Sequence, residues 1–225
     1  VHKHENHWQK KIVNMEVMEG RNFMYQAVKI KQMDEAFNFD TVVVDANGLG
    51  RGLVEKLMEE NYDAENEVMR PGWNVINHNE RKEYKPMNIL GQPFKVHALI
   101  STGVANEIDT TAYQQLMGGR VDLLISEYEA RTILFDGKVS ITDRVKALEP
   151  YKNTTLFITE TNNLRMVQQG ETNKFKIQRI DASSEKDTYS AVSYGLYVIH
   201  EYHEKPFFVG RRKDKTRLID SMLVN

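Results

Sequence analysis

Cysteine is absent from this sequence of 225 residues. Disulfides and thiolate-bound zinc are therefore excluded within it, and the lack suits a reducing compartment. No stretch approaches the roughly eighteen consecutive apolar residues that a membrane helix needs. The opening VHKHENHWQKK has no apolar signal core, so secretion is not indicated. There is no G-x-x-x-x-G-K-[ST], hence no P-loop, and no G-x-S-x-G, hence no support for a serine hydrolase. Charge of one sign is lacking too. The net charge is −2 and the pI near 6.4, where a dedicated nucleic-acid binder is usually basic. What is present is ordinary: 40% hydrophobic and 28% charged residues, in a length that suits one substantial α/β domain or two small ones.

Periodicity supplies the coarse plan. KKIVNMEVMEG (10–20) suits a strand and turn. In 21–39, Phe23, Ala27, Ile30, Met33 and Phe37 share a helical face. TVVVD (41–45) reads as a strand covered on both faces. Residues 52–62 are helical again, with Leu53, Leu57 and Met58 inward. Strand, crossover helix and second strand in this order imply a largely parallel sheet. Residues 63–93 lose regularity, and 77–88 reads as a polar surface loop. FKVHALIS (94–101) resumes a strand; 104–119 is a helix stopped by Gly118-Gly119; 120–126 is a strand; 127–137 is a short helix. Residues 143–164 are mostly helical, with Pro150 as a break or kink. KFKIQRI (174–180) alternates as a strand. The clearest helix is 187–203, with Tyr189, Val192, Leu196 and Ile199 on one face. One domain over 1–204 with a basic extension over 205–225, carrying Lys205, Arg211, Arg212, Lys213, Lys215 and Arg217, is the economical division.

Two aspartates stand where chemistry is possible. Asp45 ends a buried strand, the place where open α/β sheets collect ligands. It also begins D-A-N-G, a common turn. A dinucleotide fingerprint fails, because Gly48 and Gly50 would require glycine at 53, where Leu53 stands. Asp187 opens a helix, where negative charge is favourable, and Ser184 to Asp187 has capping-box spacing. Ala191 and Gly195 on one face allow that helix to pack closely. If Asp45 and Asp187 meet, hard divalent cations with oxygen ligands relieve their repulsion. Such a site suits phosphodiester hydrolysis with two metals about 3.5–4 Å apart. Asp40, at the other end of the same strand, is a poor third ligand. HKHENH (2–7) is better read as a frayed terminus than a metal cluster, and His78, His97, His200 and His203 show no ligand spacing.

Four segments, in order, resemble the C-terminal nuclease domain of tailed-bacteriophage large terminases, the DNA-packaging motor proteins. They are GRNFMYQAVKIKQMDEAFNFDTVVVDANGLGRGLVEKL, MGGRVDLLISEYEA, LEPYKNTTLFITETNNL and EKDTYSAVSYGLYVI. The specific pieces are a hydrophobic strand followed by D-x-x-G-x-G, and K-D-x-Y-S-A-x-x-Y-G. The resemblance implies an RNase H-like fold, a mixed sheet flanked by helices. It implies a Mg²⁺- or Mn²⁺-dependent endonuclease, with two ions, that cuts concatemeric double-stranded viral DNA during packaging. Asp45 matches the second residue of the family's acidic triad and Asp187 the third. The first lies on a strand that would precede residue 10, so a fragment of a longer chain is expected, without the family's N-terminal ATPase domain. Further partners implied are the portal protein and the small terminase subunit, in the host bacterial cytoplasm and transiently at the procapsid portal.

Gly48, Gly50, Arg51 and Lys186 are the expected DNA contacts, since they flank the two aspartates and phosphate contacts position DNA without reading it. Another RNase H-like nuclease such as a junction resolvase, or a non-catalytic DNA or portal docking domain, are the alternatives.

Overall fold

The structure, a computed structural model, describes residues 2–3, 8–18, 20–134, 140–170 and 175–208, with backbone alone at His2, Lys3 and Leu134. Most of the HKHENH cluster and the basic positions 211–217 lie outside the described residues. The chain divides into two compact units, a continuous one of 18–105 and a split one of 1–17 with 106–225. Two strands, β1 (His2–Lys3) and β2 (Trp8–Lys11), open the split unit.

The continuous unit contains α1 (Phe23–Phe37), β3 (Val42–Asp45), α2 (Gly50–Met58), β4 (Asn61–Asp63), β5 (Val68–Arg70), β6 (Asn74–Val75) and β7 (Phe94–Leu99). Its sheet has the order β3-β7-β6, with both pairings parallel and Asp45 opposite Leu99. α1 starts where the Asn22 side chain accepts the Tyr25 N–H at 2.9 Å. It ends at Asn38, whose φ of 50° is left-handed. Ala27, Val44, Val54, Leu57, Trp73 and Val96 form the core.

Two expectations for this unit need correction. On α1, Phe37 is 43% exposed whereas Lys31 is only 3% exposed. The lysine stem is apolar enough to share the core face while its ammonium donates to Glu59 O and Asn61 Oδ1, each at 2.7 Å. Burial lowers its pKa to about 8. The second concerns 63–93, whose first part, to Val75, is strand and turn rather than irregular. β4 and β5 form an antiparallel hairpin, fastened by Asp63, which accepts from Arg70 Nε at 2.7 Å and Asn66 Nδ2 at 2.8 Å. Hydrogen bonds from Asn66 and Gln32 hold the Asp63 carboxyl far below its usual range. The polar stretch 77–88 is anchored too. Asn77 exchanges two 3.0 Å side-chain bonds with the Ala98 backbone, and Tyr84 is buried.

The rest of the split unit contains α3 (Ala105–Met117), β8 (Val121–Asp122), α4 (Glu127–Leu134), α5 (Ile141–Asn162), β9 (Leu164–Gln168), β10 (Phe175–Arg179) and α6 (Asp187–Val198). β2 pairs with β1 antiparallel and with β8 parallel; β9 and β10 form a hairpin. The strand expected over 10–20 is thus confined to Trp8–Lys11, and that over 120–126 to two residues. α5 runs through Pro150 without a break. Proline in a helix interior costs about 3 kcal/mol. Burial of Leu148 before it and of Thr154 and Phe157 after it offsets that cost. The helix read over 143–164 ends close to the observed Asn162, and β9 begins at Leu164 in a stretch that had no strand reading. The turn at Asn163, whose N–H reaches Thr159 O and Glu160 O, separates the two.

The chain is therefore mixed α/β with parallel strands, as patterning implied. Its described strands form four small sheets rather than a single one.

Candidate functional site

Asp45 ends β3 half-buried, at the carboxyl ends of two parallel strands. Its Oδ1 accepts the Asn47 N–H at 3.0 Å and Asn47 Nδ2 at 2.6 Å, so the turn geometry anticipated for D-A-N-G is present. Asn47 passes the connection to β7's end. Its Nδ2 donates to Ser101 Oγ at 2.6 Å, and Thr102 Oγ1 donates to its Oδ1 at 3.0 Å. The two strand ends are thereby tied together, at the edge where ligands of such sheets collect.

Gly48 and Gly50 play different parts here. Gly48 has φ of 51°, a left-handed conformation that glycine adopts without strain, and a Cβ there would meet nothing within 4 Å. At Gly50 a Cβ would fall 1.7 Å from the Asp45 carbonyl oxygen. Only glycine lets the first turn of α2 lie against the strand end. Arg51 is engaged with Glu55 at 2.9 Å across one helical turn, which raises its pKa further.

Asp187 is the first residue of α6. The capping box anticipated from Ser184 is not formed: Ser184 Oγ turns back to Asp181, and Lys186 is the N-cap without a side-chain cap bond. The reason is a competitor from elsewhere in the chain. Glu160, on α5 and 6% exposed, accepts Thr188 Oγ1 at 2.7 Å and the Tyr189 N–H at 2.9 Å through the same Oε2. It satisfies the Tyr189 N–H, a free donor of the first turn that a local cap would have taken.

The flanks of Asp187 are held as well. Lys186 Nζ donates to Asp109 Oδ2 at 3.0 Å, and the Tyr189 hydroxyl donates to Asp109 O at 2.8 Å. Tyr189 is fully buried, and burial together with the Asp109 charge pushes its phenol up. Upstream, the Asn163 side chain brackets Asp181, accepting its N–H at 2.9 Å and donating to its carbonyl at 3.1 Å. Ser183 hydrogen bonds lower the Asp181 carboxyl. Amid these bonds the Asp187 carboxylate is exposed and, among the described residues, has no hydrogen-bond or ion-pair partner.

The close packing anticipated at Ala191 and Gly195 is absent. Ala191 is exposed, and a Cβ at Gly195 would meet nothing within 4 Å. Tyr189, Ser193, Leu196 and Val198 carry the buried face instead.

Asp45 belongs to the continuous unit and Asp187 to the split one. Among the described residues no group of three or more histidine, aspartate or glutamate side chains is arranged to hold a metal ion. Each aspartate offers carboxylate oxygens, the ligand type that suits a hard divalent cation.

His78 meets Val75 O, and His200 meets Glu204. Sequence reasoning missed Glu160 and Glu204. The latter, 2% exposed, accepts from Lys10 Nζ at 2.9 Å and the Trp8 N–H at 2.6 Å. Burial works against its charge, yet the bonds from Lys10, His200 and Trp8 keep the carboxyl below its usual range. Lys205, counted in the basic extension, pairs with Glu201 at 2.9 Å.

No protein-family model, no curated protein and no solved structure matches this chain. No described helix is long and apolar enough to cross a membrane.

Proposed function

We propose that this chain is a divalent-metal-dependent endonuclease acting on double-stranded DNA, with an RNase H-like fold and with Asp45 and Asp187 as metal-binding carboxylates. The observation that carries it is the contrast at Asp187. Lys186, Thr188 and Tyr189 are each bonded to another helix, while the carboxylate among them is exposed and has no partner among the described residues. A residue that served only the helix would be expected to use its oxygens on the helix; here Glu160 does that work. Asp45 supports the reading by its place at the carboxyl end of a parallel strand.

Mg²⁺ or Mn²⁺ bound there would activate water and stabilise the leaving oxygen of a phosphodiester. The protein's own part is to fix the carboxylates: Asn47 orients Asp45, and Glu160 and Asp109 fix the turn that carries Asp187. Arg51 and Lys186 remain phosphate contacts in this proposal and must exchange Glu55 and Asp109 for DNA. The biological setting proposed is cutting of concatemeric phage DNA at the portal, in the host cytoplasm, with the terminase ATPase domain, small subunit and portal protein as partners.

Nicking of supercoiled plasmid in Mn²⁺ tests the reading. Asp45→Asn and Asp187→Asn should each lower it by more than about 100-fold, beyond the 10–100-fold typical for residues that merely hold a ligand in place, with unchanged circular dichroism. Full activity in either variant sinks the proposal. A preference for branched DNA would favour a junction resolvase, and DNA retention without cleavage a docking domain.

A further inference from the structure

Glu160 is a buried carboxylate with no ion-pair partner among the described residues. Among the described residues its partners are both neutral donors in one turn of α6, Thr188 Oγ1 and the Tyr189 N–H. A carboxylate withdrawn from water is costly unless its hydrogen bonds compensate, and a serine or aspartate at the N-cap would cap the helix more cheaply. Here the N-cap is Lys186, with no side-chain cap bond. The unusual choice has a geometric consequence. An N-cap side chain bonds back onto its own helix and fixes nothing outside it, whereas Glu160 ties the first turn of α6 to α5. The same end of α5 also carries Asn163, which brackets Asp181 by side-chain bonds of 2.9 and 3.1 Å and accepts the Ile180 N–H at 2.7 Å. Both sides of the 182–187 segment are thus referred to a single rigid turn, Glu160–Asn163. Asp187 stands one residue before Thr188 and two before Tyr189, so the Glu160 bonds set where its carboxylate is presented.

We propose that Glu160 is the positioning residue of the candidate site, holding the first turn of α6 so that Asp187 is presented in one place to a divalent cation. It acts through its acceptor oxygen rather than its charge. The inference rests on the proposed function for what Asp187 binds, but not for what Glu160 holds.

Two measurements on the full chain separate these. Amide exchange at Thr188 and Tyr189 reports the turn, and broadening of the Asp187 amide signal during Mn²⁺ titration reports the cation. Glu160→Ala should expose the Tyr189 amide to exchange and raise the Mn²⁺ concentration for half-broadening about 10-fold, the low end for residues that orient a metal ligand. Glu160→Gln keeps an acceptor oxygen and should restore both, the titration to within about threefold.

An Ala variant that melts earlier yet titrates like the parent overturns the inference, since Glu160 is then only structural. So does a Gln variant as impaired as Ala, since charge rather than position would then matter. If Glu160→Ala does not fold, Thr188→Val deletes one of the two bonds at constant shape and should shift the titration in the same direction. No broadening in the parent would defeat the metal reading, and the exchange data would still decide whether Glu160 holds the turn.

Discussion

Replacing Gly50 by alanine should strike Asp45 without touching its side chain. The added Cβ would lie 1.7 Å from the Asp45 carbonyl oxygen and 2.9 Å from its carbonyl carbon. Non-bonded carbon and oxygen do not approach within about 3 Å, so α2 and the strand end must separate by at least about 1.3 Å (3.0 less 1.7). Both sides resist. β3 is fixed by its parallel pairing to β7, and α2 by burial of Val54, Leu57 and Met58.

Overpacking of this kind costs about 1–3 kcal/mol, and a backbone partner puts Gly50→Ala at the upper end. For a chain of this size each kcal/mol lowers Tm by about 2–4 °C, so a fall of roughly 5–10 °C is expected. Gly48→Ala is the control. It meets no atom within 4 Å and bears only the left-handed φ of 51°, at about 1–2 kcal/mol.

Thermal melts by circular dichroism measure both, and plasmid nicking in Mn²⁺ measures the consequence for Asp45. A Gly50→Ala protein that melts within a degree of the parent would mean that α2 does not rest on the Asp45 carbonyl, and the steric account of this glycine would fail.

Two further outcomes follow from buried charge. Lys31 has its pKa lowered from 10.5 to about 8 by burial. Below pH 8 both folded and unfolded chains hold the proton and the penalty is complete. Between 8 and 10.5 the unfolded chain binds more protons, so stability rises with pH, and above 10.5 the penalty is gone. From pH 7 to 9.5 the parent should gain about 2 kcal/mol over Lys31→Met in urea denaturation; an equal difference at both pH values refutes the burial of this charge. The Lys10–Glu204 pair, 2.9 Å apart with side chains 4% and 3% exposed, should cost about 3–5 kcal/mol when either partner is made apolar, and less than the sum when both are. A double-mutant cycle by denaturant checks this, and single variants costing under about 1 kcal/mol would contradict it.

Elements whose causes are local were legible in the sequence. The three valines before Asp45 form β3, apolar spacing finds α1, α2, α3 and α6, and Gly119, with φ of 64°, ends α3 near the anticipated position. Legibility stopped where pairing alone defines a strand. LRMVQ had no strand reading, and it forms β9 through its pairing with β10. The two-residue strand β6 is too short to show a period at all. In the candidate site, both aspartates were named from motif and position, while Arg51 and Lys186 showed only charge, which does not disclose the carboxylates they meet.

By itself, then, the sequence determined most of the helices, the strands β3, β7 and β10, and that Asp45 and Asp187 stand at element ends, because spacing, caps and turns act within a few residues. Tertiary structure alone decided the rest. Glu160 meets Tyr189 across 29 positions, Lys10 meets Glu204 across 194, and Lys31 is drawn into the core to meet Asn61. A polar side chain's partner depends on which faces pack, and folding must complete every buried hydrogen bond from whatever stands opposite. That choice leaves no local pattern to read.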